Sequence, residues 1–169
     1  MKRLLLFIGM IVFACLLAGS YGMLHNQISY AVGSDYFHAF KFRQFRIPEA
    51  QHGPLGAAMV GWAASWWMGL VIGVPIAAMS FGIPNLPQAT KAFTVAAIGV
   101  VLLTLALGLV SLLVPPPMEF IPVPPDAADP IGFGRAAMMH DTSYLAGLIG
   151  LVVGLVYMGY KVWHARRSS

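Results

Sequence analysis

Four stretches of this chain, about 4–24, 55–81, 92–114 and 142–160, hold almost no charged side chain. At 1.5 Å per residue each is long enough to cross a hydrocarbon core of about 30 Å. Lipid offers no partner for backbone N–H and C=O groups, so a segment of this kind satisfies them within itself, as a helix. Only 9% of the 169 residues are charged and 59% are hydrophobic, whereas a soluble domain carries about 25% charged residues. The chain therefore reads as an all-α integral membrane protein, one membrane domain over 1–169 with four transmembrane helices in an antiparallel bundle. That reading excludes a soluble enzyme, a nucleic-acid-binding module and a disordered tail. The formal net charge of +4 points to topology rather than to nucleic acid, because the bases flank the apolar runs.

The first run follows Met1-Lys2-Arg3 and contains the single cysteine, Cys15. One cysteine excludes an intramolecular disulfide and a CxxC redox pair. A basic start with small residues at Ala18 and Ser20 also fits a signal peptide, but the apolar run continues to Leu24, which favours an uncleaved anchor. The second run holds Trp62, Trp66, Trp67 and Pro75, and the proline predicts a kink. The third stops at Pro115-Pro116-Pro117, and the fourth ends in Tyr157, Tyr160 and Trp163, an aromatic belt. Two outer loops follow from this division, 25–54 and a proline-rich 115–141. Lys2, Arg3, Lys91, Lys161, Arg166 and Arg167 fall on the side of both termini, against Lys41, Arg43, Arg46 and Arg135 on the other. The excess places both termini in the cytoplasm. All six acids and four of the five histidines lie in or beside the outer loops, so any chemistry belongs there.

Two stripes of small residues lead to histidines. Gly154, Gly150, Gly147 and Ser143 share one face of the fourth helix, and the same face continues to His140; Ala14, Ala18 and Gly22 lead likewise to His25. Small residues let helix backbones approach in lipid. His25 and His140 are thus candidate ligands for a haem iron or, with Met139 and Asp141 nearby, for copper. The plainer reading has each histidine bonded to loop carbonyls or water, and Asp141 as N-cap of a helix that starts at Thr142. The segment Tyr36, Phe37, Phe40, Lys41, Phe42, Arg43 interleaves aromatics with bases and suits the membrane interface. Alternatively it caps the bundle over His25 and Asp35.

The run Tyr21-Gly22-x-x-His25-x-Gln27-x-x-Tyr30, with Tyr36-Phe37-x-x-Phe40-Lys41-Phe42-x-Gln44-Phe45 and His140-Asp141-x-Ser143-Tyr144-x-x-Gly147, resembles a family of small bacterial polytopic membrane proteins. The resemblance implies a bacterial membrane location, for which the base distribution points to the cytoplasmic (inner) membrane, and carries no activity with it. No acid or base lies in the middle of a span, which speaks against a proton-coupled transporter or a channel built from this chain alone. GxSxG, HExxH and glycine-rich phosphate loops are absent from the sequence. The expectation is a non-catalytic accessory or assembly subunit of a larger membrane complex, its partners being lipid and other membrane subunits or further copies of itself, and not nucleic acid. The alternative is an outer-face haem or copper protein using His25 and His140, and the reading least favoured by the uncharged spans is an oligomeric channel or transporter.

Overall fold

The computed structural model describes residues 1–167, so the last two residues of the expected 1–169 domain lie outside the described residues. All regular structure among them is helical: α1 (Lys2–Val32), α2 (Phe42–Gln44), α3 (Pro54–Ser65), α4 (Met68–Met79), α5 (Leu86–Ser111) and α6 (Pro130–Arg167). One π-helical segment, Tyr36–Lys41, leads into α2. By length and composition α1, α5 and α6 are each able to cross a membrane, and α3 with the α4 segment makes a fourth candidate span bent by 42°.

The helix ends differ from the apolar boundaries for local reasons. α1 continues past Leu24 to Val32 because His25, Asn26 and Ser29 face the interior and are buried there, so polarity does not end the helix. α6 starts at Pro130 rather than at Thr142: Asp129 accepts the Gly132 N–H at 2.9 Å, and proline at the first helical position has no N–H to leave unpaired. Asp141 therefore lies well inside a helix and is not its N-cap, and much of the expected 115–141 loop is helix. α5 begins at Leu86, six residues before the expected start, because Asn85 accepts the Gln88 N–H at 2.9 Å and Pro87 sits in the first turn. The second span bends at Trp66–Trp67, not at Pro75, which stays inside α4. Beyond the bend Gly69 rests on the backbone of Cys15, and a side chain at Gly73 would strike the Cβ of Ala14, so α4 is steered onto α1.

The glycines determine how closely the helices approach. Gly22 of α1 and Gly61 of α3 meet backbone to backbone, each standing where a Cβ would run into the other's carbonyl oxygen. On α6, a Cβ at Gly150 would lie 2.7 Å from Val100 of α5 and one at Gly154 2.6 Å from Ile76 of α4. The small residues of both stripes are thus largely used within the chain. Two apolar clusters result. One gathers Met10, Ile76, Phe93, Val100 and Met158, and the other Tyr36, Phe37, Phe42, Val60 and Phe133.

Candidate functional site

Between the two apolar clusters lies a chain of polar side chains from α1 and α6. His25, Asn26, His140 and Ser143 are all buried. The His25 and His140 rings meet edge to face, centroids 4.8 Å apart. An amide oxygen only accepts, so His25 Nδ1, 3.3 Å from Asn26 Oδ1, carries the proton and donates it. His25 Nε2 is then an acceptor and takes the Ser143 hydroxyl at 2.9 Å, while Ser143 Oγ accepts from the Tyr21 hydroxyl at 3.2 Å. Asn26 Nδ2 donates to the Ala57 carbonyl at 3.0 Å, which ties the chain to α3 and fixes the orientation of the amide.

His140 does not close as neatly. Its Nε2 lies 3.0 Å from the same Asn26 Oδ1 and its Nδ1 2.9 Å from the Ala136 carbonyl, so both nitrogens face acceptors. A neutral imidazole has one N–H and satisfies one of them. Turning the Asn26 amide over only moves the conflict to Ala57. The cluster is therefore one proton short of donating from both His140 nitrogens.

The aromatic-basic segment closes over this chain. Tyr36, Phe37, Lys41 and Phe42 are buried, whereas Phe40 and Arg43 are exposed. The first four therefore cap the bundle instead of facing outward, since the π-helical turn brings the Tyr36 ring to 4.9 Å from His140 and Phe37 to 5.9 Å. Lys41 donates to Gln44 Oε1 at 3.0 Å and lies over the Phe40 ring at 4.8 Å. Burial lowers the Lys41 pKa from its ordinary value, and the nearby Asp141 carboxylate opposes that shift. Burial likewise raises the Tyr36 hydroxyl, with Asp141 adding in the same direction. Asp141 is exposed and acts on Lys41 and Tyr36, not on the imidazoles.

Beside the pair a cavity of about 100 Å³ runs between α1, the end of α3, α4, α5 and α6. Tyr21, His25, His140 and Ser143 form its polar end; Ile76 and Val100 belong to its apolar body. Met139 is fully buried near His25, its methyl and His25 Nε2 each 3.9 Å from where a Cβ on Gly108 would stand. For a metal the set is thin. Among the described residues no group of three or more His, Cys, Asp or Glu side chains gathers, and all four imidazole nitrogens already face protein atoms.

The two histidines singled out from their stripes do come together here, and Gly22, Gly147, Gly150 and Gly154 lie at helix contacts, while Ala18 lines the cavity. Asn26, which joins the two imidazoles, was not legible as a site residue. The available signal was its place one turn beyond Gly22, with Ser29 a further turn on, on the face the small residues already mark. Comparison with protein-family models, curated proteins and solved structures gives no match for this chain.

Proposed function

We propose that the chain is an integral membrane protein with four antiparallel spans, α1, the bent α3–α4 pair, α5 and α6, and that its interior cavity binds a small lipid-soluble molecule by the polar end beside His25 and His140. The observation that carries this reading is the polar chain itself: Tyr21, Ser143, His25, Asn26 and His140 linked in one hydrogen-bonded series against a cavity. Apolar side chains would fill the same space without the cost of desolvating polar groups, so a network of this kind in an apolar interior points to use. The ligand is mostly apolar and small, because the cavity of about 100 Å³ is below the roughly 150 Å³ of an apolar cavity that holds benzene. It carries one hydrogen-bond donor, for which the Tyr21 oxygen at the polar end, itself donating to Ser143, keeps an acceptor site.

Membrane residence is supported by the outward faces: Leu145, Leu148, Val152 and Val156 of α6 and Leu5, Ile8, Val12 and Leu16 of α1 are exposed. The bacterial cytoplasmic membrane, with both termini inside, is the location that the resemblance and the Lys/Arg distribution favour. Retention in the membrane pellet after alkaline carbonate is the first check. The second is extraction of small molecules from the purified protein, with mass spectrometry of wild type and Ser143→Leu, whose added bulk enters the cavity. A compound present in wild type and lost in the variant supports the reading; equal content in both overturns it.

A second reading, the accessory or assembly subunit, rests on Gly9 of α1 and Gly99 of α5. Both are exposed with nothing within 4 Å of a Cβ, so two outward faces keep a position where another helix can come close. Mild-detergent purification at native expression decides it, by whether a second membrane chain accompanies this one and is lost on Gly99→Leu.

A further inference from the structure

The opposite end of the molecule carries a separate cavity of about 510 Å³, between the start of α5 and the end of α6. Lys91, Lys161, His164, Gln88, Asn85 and Tyr157 are among the residues that line it, and no Asp or Glu is among its lining residues. The loop on its rim is held by Arg3, whose guanidinium donates to the carbonyls of Ile83 and Pro84. Among the described residues Lys91 makes no hydrogen bond or ion pair, and Lys161 contacts only the faces of Tyr157 and Tyr160, at 5.5 and 5.9 Å. The first turn of α5, capped by Asn85, adds its positive dipole end beside the cavity. All six Asp and Glu side chains belong to segments at the other end of the spans, so the charge of the chain is segregated along its length.

We infer that this cavity is a binding site for the phosphate-bearing headgroup of an anionic membrane phospholipid. The inference rests on the membrane reading above. It is independent of what the histidine cavity holds. Two lysines and a helix N-terminus supply the positive field for a phosphate, and a volume of this size is typical of sites for small organic groups. The tyrosines and Trp163 that mark this end suit the level of the headgroups, where basic pockets between spans take anionic lipid. A headgroup reaches such a pocket from within the leaflet while its acyl chains stay against the apolar flank.

The test uses the purified full chain in detergent, titrated with short-chain phosphatidylglycerol or phosphatidylcholine and followed by native mass spectrometry. Phosphatidylglycerol should bind in preference, and the pair Lys91→Ala with Lys161→Ala should weaken it roughly tenfold or more. Lys91→Arg with Lys161→Arg should retain it, and Arg43→Ala with Arg46→Ala, at the other end, should leave it unchanged. Equal binding of both lipids, or phosphatidylglycerol binding indifferent to the lysine pair, overturns the inference. Inorganic phosphate binding as tightly as the lipid overturns it too, in favour of a soluble anion. Flotation with phosphatidylcholine vesicles separates the two readings: a chain that floats but shows no anionic preference sinks the headgroup site alone, and one that does not float sinks the membrane reading with it.

Discussion

At the level of single residues, Asn26 holds the site together, since its carbonyl oxygen accepts from His25 and lies 3.0 Å from His140 Nε2, and its amide reaches Ala57. Asn26→Leu keeps the approximate volume and removes every one of those bonds. A buried donor without a partner costs about 1–3 kcal/mol, so the variant should lose roughly 2–4 kcal/mol of stability, measured by thermal unfolding in detergent. A loss below about 0.5 kcal/mol, the scale of an ordinary surface substitution, would mean that the network is not formed. Lys41 yields a different kind of expectation. Its pKa is lowered on folding, chiefly by burial, so between the folded value and the ordinary 10.5 the unfolded chain binds more protons than the native one. Stability therefore rises with pH through that window and levels off above it. Lys41→Met removes the titrating group and should flatten the slope on the alkaline side. An unchanged slope would show that Lys41 is not buried in the cap.

Among the helices, the glycines separate into three classes that substitution can rank. At Gly22 and Gly61 the obstacle to a Cβ is the backbone of the facing helix, which has no rotamer to change, so alanine at either forces α1 and α3 apart. At Gly150 and Gly154 the obstacle is a side chain, Val100 or Ile76, rather than backbone. At Gly9 and Gly99 a Cβ meets open space. Gly61→Ala should accordingly cost the most, about 1–3 kcal/mol as overpacking does. Gly150→Ala should cost less, and Gly99→Ala should be neutral or gain up to about 1 kcal/mol from helix propensity. Gly150→Leu should far exceed Leu151→Ala in damage, because position 151 is about 100° around the helix from the contact. Equal melting temperatures for Gly61→Ala and Gly99→Ala would contradict the packing. The spacing of these small residues was legible, because it repeats with the helical period, and it brought His25 and His140 to one place. The helix ends were not. Hydropathy stops at Leu24 and starts again at Thr142, whereas the helices are ended by Gly33 and begun by Asp129-Pro130, signals that sit within polar sequence. The cap was half legible: the alternation of aromatics and bases in 36–43 marks an interface, but only the π-helical turn determines that Tyr36 and Phe37 face inward onto His140.

Across the whole molecule, charge and polarity divide by end. One end carries the basic cavity, and the polar chain with its aromatic cap lies toward the other. A bilayer reads such an asymmetry through its Lys and Arg content, since the side with more of them near the spans stays in the cytoplasm. Six of the ten bases flank the spans on the side of the termini. The orientation proposed above, with both termini inside, would place the lysine-lined cavity against the cytoplasmic leaflet and the cap over the histidine pair on the outside. Single cysteines in a Cys15→Ala background distinguish the two possible orientations. Ala50 and Ala128 are exposed in the two outer connections, and unlike Gly53, whose φ of 131° disfavours a side chain, both tolerate a cysteine without backbone strain. Ala50→Cys and Ala128→Cys should react with an impermeant thiol reagent in intact cells. Gln88→Cys, at the start of α5, and Ser168→Cys, outside the described residues, should react only after the membrane is opened. The reverse pattern would invert the orientation and leave the number of spans standing. Labelling of Ala50→Cys and Ala128→Cys from opposite sides would break the four-span arrangement itself, because α3, α4 and α5 lie between those positions and an even number of crossings returns the chain to the side it left.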